Sequence, residues 1–313
     1  MILEFELTDQ KSGIKIHGPR MNLLLQLLAN GMVNGALFAV LACAFGLVYR
    51  SARVFHMAFA GLFLIPPYSA YAATEWLKAP VWMAILLGIA AGGGAGYLAE
   101  RLLYRPFHRR NATPAAVMVA SLGVFIVLEN CLALLFGNEL RTIERGLATR
   151  VMFGPVGLTS IQLVQFTVGM LTIVGLAIAI RNVMAFKAIW AMGDEPGLIP
   201  VLGLPLMRYR NLVFTLSGGL GGIAGCLIGL DVGVDPHMGM SYLLIAAVAV
   251  LAGGIDRYGG WILGGFILAL LQSVIVWKFS AKWMDLATFA VLIGVLVFRP
   301  QGIIGLRRRL EEE

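Results

Sequence analysis

Glu129 stands alone in the apolar stretch "SLGVFIVLENCLALLFG", with no other formal charge between Arg110 and Glu139. A carboxylate at the middle of a hydrocarbon-spanning helix costs about 2.5–3.5 kcal/mol on insertion scales, so it must face protein or water. Two kinds of chemistry fit it. It can lock two helices by hydrogen bonding, with Asn130 beside it, or it can line a path, where reversible protonation would make it a proton carrier. His56, in "VFHMAFAGLF", carries the side chain whose ordinary pKa lies nearest neutrality, close to Arg50 and Arg53. Asn34 shares a helical face with Asn30 inside another apolar run. Asn34, His56, Glu129 and Asn130 are therefore the path candidates, and each also reads as a fixed structural group.

Other chemistry lacks its residues. The four histidines, His17, His56, His108 and His237, have no metal-ligand spacing among themselves or with Cys43, Cys131 and Cys226. The cysteines fall inside apolar runs and read as small packing residues. No GxSxG elbow, HExxH helix or GxxxxGK[ST] loop occurs, so the chain has no means of cradling ATP phosphates. Gly219, Gly221 and Ala224 form a GxGxxA pattern, but it opens an apolar helix and follows no strand, which excludes the dinucleotide reading. No metal, cofactor or catalytic constellation is expected. "NAT" at Asn111–Thr113 matches a glycosylation acceptor, but the charge pattern puts it on the cytoplasmic side.

The elements that must position these residues follow from composition. Hydrophobic residues make up 59% and charged residues 13% of 313 positions, too few polar groups to cover a water-soluble globule. Apolar runs recur at about 22–49, 55–77, 80–103, 114–137, 161–180, 211–230, 241–254, 259–277 and 284–298, most of them long enough to cross a core of roughly 30 Å as helices. The expected fold is an all-α polytopic transmembrane bundle of about eight or nine spans. The short run 241–254 leaves the count open, because it could be a re-entrant or broken helix joined to the next through "GGIDRYGG". Pro66 and Pro67 are expected to kink or break the second helix.

Sidedness follows from Lys and Arg. One side receives Arg50, Arg53, Arg101, Arg105, Arg109, Arg110, Arg181, Lys187, Arg208, Arg210, Arg257, Arg299, Arg307, Arg308 and Arg309, which is 15 of the 24 basic residues. That side reads as cytoplasmic, giving an outside N-terminus and an inside C-terminus. The formal charge of +7 is then mostly a topology signal, and nucleic acid is not an expected partner. The expected organisation is a mixed segment 1–20 with no cleavable signal peptide, a membrane domain 21–306 and a charged tail 307–313. Inside the membrane domain, residues 182–210 form a cytoplasmic loop whose core, "KAIWAMGDEPGLIPVLGLPLMRYR", is only semi-apolar. Glycines recur four apart at Gly31/Gly35, Gly88/Gly92/Gly96, Gly221/Gly225/Gly229 and Gly260/Gly264, a spacing that lets helix backbones approach closely and also leaves smooth faces able to slide.

Six stretches, in order, resemble one family: "NGMVNGALFAVLACAFGLVYR", "AERLLYRPFHRR", "ASLGVFIVLENCLALLFG", "FTLSGGLGGIAGCLIGL", "AAVAVLAGGIDRYGGWILGGFILALLQ" and "FRPQGIIG". Together they are similar to the membrane permease subunits of ATP-binding-cassette importers of the branched-chain amino acid type, over nearly the whole chain. The resemblance implies a bacterial inner-membrane transport subunit, not an enzyme itself, which moves branched-chain or related amino acids or a small amide-like solute. Its implied partners are separate ATPase subunits, a second permease subunit and an extracytoplasmic solute-binding protein. It also implies that the loop before the glycine-rich helix docks on the ATPase, with Gly193, Asp194, Glu195, Leu202 and Gly203 serving coupling. From the residues themselves, Pro196 can start a helix there, and Leu198, Val201 and Leu202 offer an apolar i, i+3, i+4 face. The chain departs from the family's usual pattern at His56–Ala60, at Glu129, where a Gln is frequent, and at the charged turn Asp256–Arg257. The alternative from another class is a proton-coupled secondary transporter using Glu129.

Overall fold

Apolar residues on every face of one long helix make it the centre of the molecule. The computed structural model describes residues 19–143, 149–154, 156–194, 197, 201, 203–299 and 302–303. Its first helix, α1 (Pro19–Ala52), buries nearly everything from Val33 to Val48. A helix buried all round has neighbours on all sides. Here these are α6 (Ser160–Asn182), α7 (Met184–Asp194), α8 (Leu206–Asp231), α9 (Met238–Gly253) and α10 (Tyr258–Lys278). Around this centre stand α2 (Phe59–Glu75), α3 (Val81–Ala99), α4 (Arg105–Arg109), α5 (Pro114–Phe136) and α11 (Met284–Phe298), with one π-helical turn, Glu100–Tyr104, joining α3 to α4.

Every apolar run read from the sequence becomes one helix. Among the described residues six helical stretches are long and apolar enough to cross a membrane: Leu23–Ala52, Val81–Arg109, Pro114–Phe136, Ser160–Asn182, Leu206–Asp231 and Tyr258–Lys278. Helices α2, α9 and α11 are shorter. Helix α9 is a single unbroken helix of 16 residues. Of the two outcomes expected from sequence at Pro66 and Pro67, a kink or a break, the break does not occur, since α2 runs through both. Both rings are buried against glycine faces, Pro66 beside Gly92 and Gly222 and Pro67 beside Gly225 and Gly229. Close packing thus holds α2 helical where two backbone donors are missing.

Successive long helices run in opposite directions, so their connections gather at two ends. At one end Arg50, at the close of α1, meets Asp194 and Asp256, Glu100 meets Arg210, and Ile303 N–H donates to Ala252 O at 2.8 Å. At the opposite end Gln26 Nε2 donates to Gly157 O and Gln26 Oε1 accepts from Gly157 N–H, both at 2.8 Å. There Arg141 also pairs with Val234. Gly157 belongs to a small antiparallel hairpin, β1 (Arg150–Phe153) and β2 (Val156–Thr159), a departure from the all-helical expectation. Gly154 turns it with φ +62°. The exposed aromatics Trp76, Trp82, Trp283 and Phe279 cluster at this end, as rings do at a membrane–water boundary.

Glycine spacing decides how closely helices approach. Helices α3 and α8 cross where Gly92, Gly96 and Gly218 meet: a Cβ on Gly92 would lie 2.5 Å from Gly218 O, and one on Gly96 would overlap Phe214 O. This contact is backbone on backbone, which only glycine permits.

Candidate functional site

Two places in the bundle concentrate polar groups. The first is a junction at the arginine-rich end. Arg50 is buried, yet its guanidinium donates from Nη2 to Asp194 Oδ1 at 2.8 Å and from Nη1 to Asp256 Oδ1 at 3.0 Å. It also lies 4.3 Å over the Trp190 ring, and Trp190 packs on Trp261 at 5.5 Å. A buried cation with two carboxylates and an aromatic face is held at one position. Arg53 adds Nε and Nη2 bonds to Gly193 O at 3.2 and 2.8 Å. Gly193 cannot carry a side chain here, because its Cβ would stand 2.8 Å from Arg50 Cγ. Two sequence observations converge at this point. The charged turn at Asp256 exists as a partner for Arg50, and Gly193 and Asp194 lie at the far end of α7 against it. Arg50 itself was not among the residues singled out from sequence, since nothing local marks an arginine at a helix end as buried.

Glu195 and Leu202 lie outside the described residues. Gly203 adopts φ +73°, the left-handed region that favours glycine. Val201 is 80% exposed, an apolar side chain with no cover from this chain.

The second place is a cavity of about 430 Å³ near the opposite end, among α1, α6, α8, α9, α10 and α11. Its polar wall comprises Asn34, Gln165, Asp231, Ser241, Gln272 and Asp285, while Leu37, Phe38, Ile228 and Ile245 make the apolar wall. Gln165 is buried, with Nε2 donating to Leu227 O at 2.9 Å and Oε1 lacking a protein partner. Gln272 Nε2 donates to Thr288 Oγ1 at 2.8 Å. Of the four path candidates Asn34 lines this cavity. Gln165 and Gln272 carried the same signal as Glu129, a lone polar side chain in an apolar run, and were not picked out because neither bears a charge.

The other candidates sit elsewhere. Glu129 Oε1 is 2.6 Å from His237 Nδ1. His237, just before α9, is outward-facing. Asn130 Nδ2 donates to Ile126 O of its own helix at 2.7 Å. His56, in the connection between α1 and α2, is fully enclosed by Phe59, Tyr104 and Phe214 and hydrogen-bonds the Tyr104 hydroxyl. Burial pushes its pKa from 6.5 down to about 3, so the ring stays neutral at physiological pH.

The family described as "Branched-chain amino acid transport system / permease component" matches residues 27–296. The chain belongs to that family. This permease is 28% identical over 90% of its length to the high-affinity branched-chain amino acid transport system permease protein BraD of Pseudomonas aeruginosa, covering 95% of that protein. It is 26% identical, with the same coverage, to LivH of Escherichia coli K12, a permease protein of the same description. Among solved structures it resembles PsaBC from Streptococcus pneumoniae in complex with Fab, at a TM-score of 0.51 and 15% identity over 90% of this chain and 96% of that one, a likeness of fold. The permease is thus a multi-pass integral protein of the inner membrane and a transport subunit.

Proposed function

We propose that this permease carries branched-chain amino acids, or a related amino acid or small amide, inward, with ATP hydrolysed on separate subunits. The observation that carries the reading is the family match across 270 consecutive residues, 27–296, together with the absence from the sequence of any phosphate-cradling loop. A second permease chain, two ATPase subunits and an external solute-binding protein complete the assembly. The arginine-rich end is cytoplasmic, and nine helices cross the membrane, the shorter α2, α9 and α11 included. The permease domain spans 21–306, with coupling loop 182–210 and tail 307–313.

Coupling falls to the end of α7 and the residues after it: Gly193, Asp194, Glu195, Leu202 and Gly203. An ATPase engaging Val201 and its neighbours would move α7, and Arg50 would pass that movement to α1 and to the Asp256 turn. The solute passes the cavity that Asn34 lines. A volume of about 430 Å³ exceeds a single amino acid, and its division into amide-and-carboxylate and aliphatic walls suits a polar solute with an apolar side chain. Glu129, held by His237 outside that cavity, favours ATP-driven over proton-coupled transport.

The test is uptake of labelled leucine, isoleucine, valine and small amides into vesicles of the assembled transporter, with ATP on the cytoplasmic face and an uncoupler present. Uptake should need ATP, survive the uncoupler and fall at least about tenfold in Gly203→Arg, which strains a positive-φ position and places a charge in the coupling loop. Uptake that ignores ATP and stops with the uncoupler overturns the reading.

A further inference from the structure

The π-helical turn at Glu100–Tyr104 and the short helix after it gather charge that neither transport nor coupling uses. Arg101, Arg105, Arg109 and Arg110, with Pro106, line one recess of about 460 Å³ at the cytoplasmic end. Among the described residues no carboxylate lines it. The acid nearest in sequence, Glu100, has a fully buried side chain, is paired with Arg210, whose Nε lies 2.9 Å from Glu100 Oε1, and is also close enough to Arg105 to attract it, which leaves Arg101, Arg109 and Arg110 without that carboxylate. Arg105 Nε is buried without a hydrogen-bond partner. Arg101 Nη1 donates to Tyr97 Oη at 3.3 Å, a neutral acceptor that leaves its charge uncompensated. Four arginines lining one recess bring like charges together, a repulsion that an anion among them would relieve.

The same flank says which anion. Leu98 and Leu102, 52% and 71% exposed, flank Arg101 on the membrane-crossing stretch Val81–Arg109 and have little cover from the described residues. An apolar strip leading along a span into a cluster of planar, fork-shaped donors matches a phosphodiester headgroup with its acyl chain below it. We infer that this recess binds the phosphate of an anionic phospholipid of the cytoplasmic leaflet. An acidic surface of a partner protein could use the arginines but would leave Leu98 and Leu102 facing hydrocarbon with no role in recognition. The inference needs only that α3 spans the bilayer, and it stands whatever solute is carried.

The experiment is native mass spectrometry of the full-length permease in detergent, titrated with phosphatidylglycerol and with phosphatidylcholine, repeated in the presence of inorganic phosphate. The wild type should retain phosphatidylglycerol over phosphatidylcholine by about tenfold, and Arg101→Gln/Arg109→Gln/Arg110→Gln should reduce that preference to about twofold or less. Since that triple variant removes three surface charges, Arg109→Glu alone, at an exposed position, provides the same readout with less risk to folding. Inorganic phosphate at millimolar concentration should leave the lipid bound; displacement by it overturns the lipid assignment in favour of a free-anion site. Unchanged lipid preference in both variants overturns the inference.

Discussion

Arg50 is the residue on which most of the polar architecture of the arginine-rich end depends. Removing one member of a fully buried ion pair costs about 3–5 kcal/mol, and here Asp194 and Asp256 both reach solvent, so Arg50→Met should cost less, about 1–3 kcal/mol. Thermal unfolding in detergent checks this, and Arg50→Lys, which keeps the charge but loses the two-armed geometry, should fall in between. His56 gives a prediction in pH. Its folded pKa, about 3, lies below its ordinary 6.5, so the unfolded chain binds the extra proton. The neutral ring's contribution is complete above pH 6.5 and is lost as pH falls toward 3, by no more than about 1.4 kcal/mol per pH unit. His56→Phe should flatten the fall of the unfolding midpoint between pH 6 and 4, and it should leave the pH profile of uptake between 6 and 8 where the wild type has it. A profile displaced in the variant would mean that the ring titrates during transport.

At the scale of elements, the glycine spacing read from sequence as a packing signal is realised unevenly. Gly92, Gly96 and Gly218 place backbone against backbone between α3 and α8, whereas Gly94, two residues from each of the first two, has nothing near the space a side chain would fill. Gly96→Leu should therefore force α3 off α8 and lower the unfolding midpoint by about 10 °C or more, while Gly94→Leu should leave it within a few degrees. Equal losses in the two variants would mean that helix propensity or lipid contact, and not the α3–α8 crossing, sets the cost. Helix α2 carries the complementary lesson. Its paired prolines predict a break when the helix is considered alone, and the glycines that accept their rings belong to α3 and α8, far along the chain.

For the whole molecule, the alternation of helix direction makes a labelling prediction. In a background where the exposed Cys131 is replaced by Ser, Lys78→Cys should react with an impermeant thiol reagent added outside intact cells, and Lys187→Cys should react only after the membrane is opened. The reverse pattern would invert the molecule and place the Arg50 junction outside. The apolar runs determined the main helices and their order without tertiary information, because hydrocarbon offers backbone groups no partner and each run must satisfy its own hydrogen bonds. The asymmetry of Lys and Arg likewise pointed to two distinct ends, since charge placement relative to a span is local. What the sequence could not determine is which polar residues meet. Asp194 and Asp256 lie 144 and 206 positions from Arg50, Glu129 lies 108 from His237, and the cavity draws its wall from six helices. A lone polar residue in an apolar run announces that it needs a partner, but the identity of that partner depends on how the helices cross. Those crossings are set by side-chain and glycine contacts between elements far apart in the chain, and only the folded bundle brings them together.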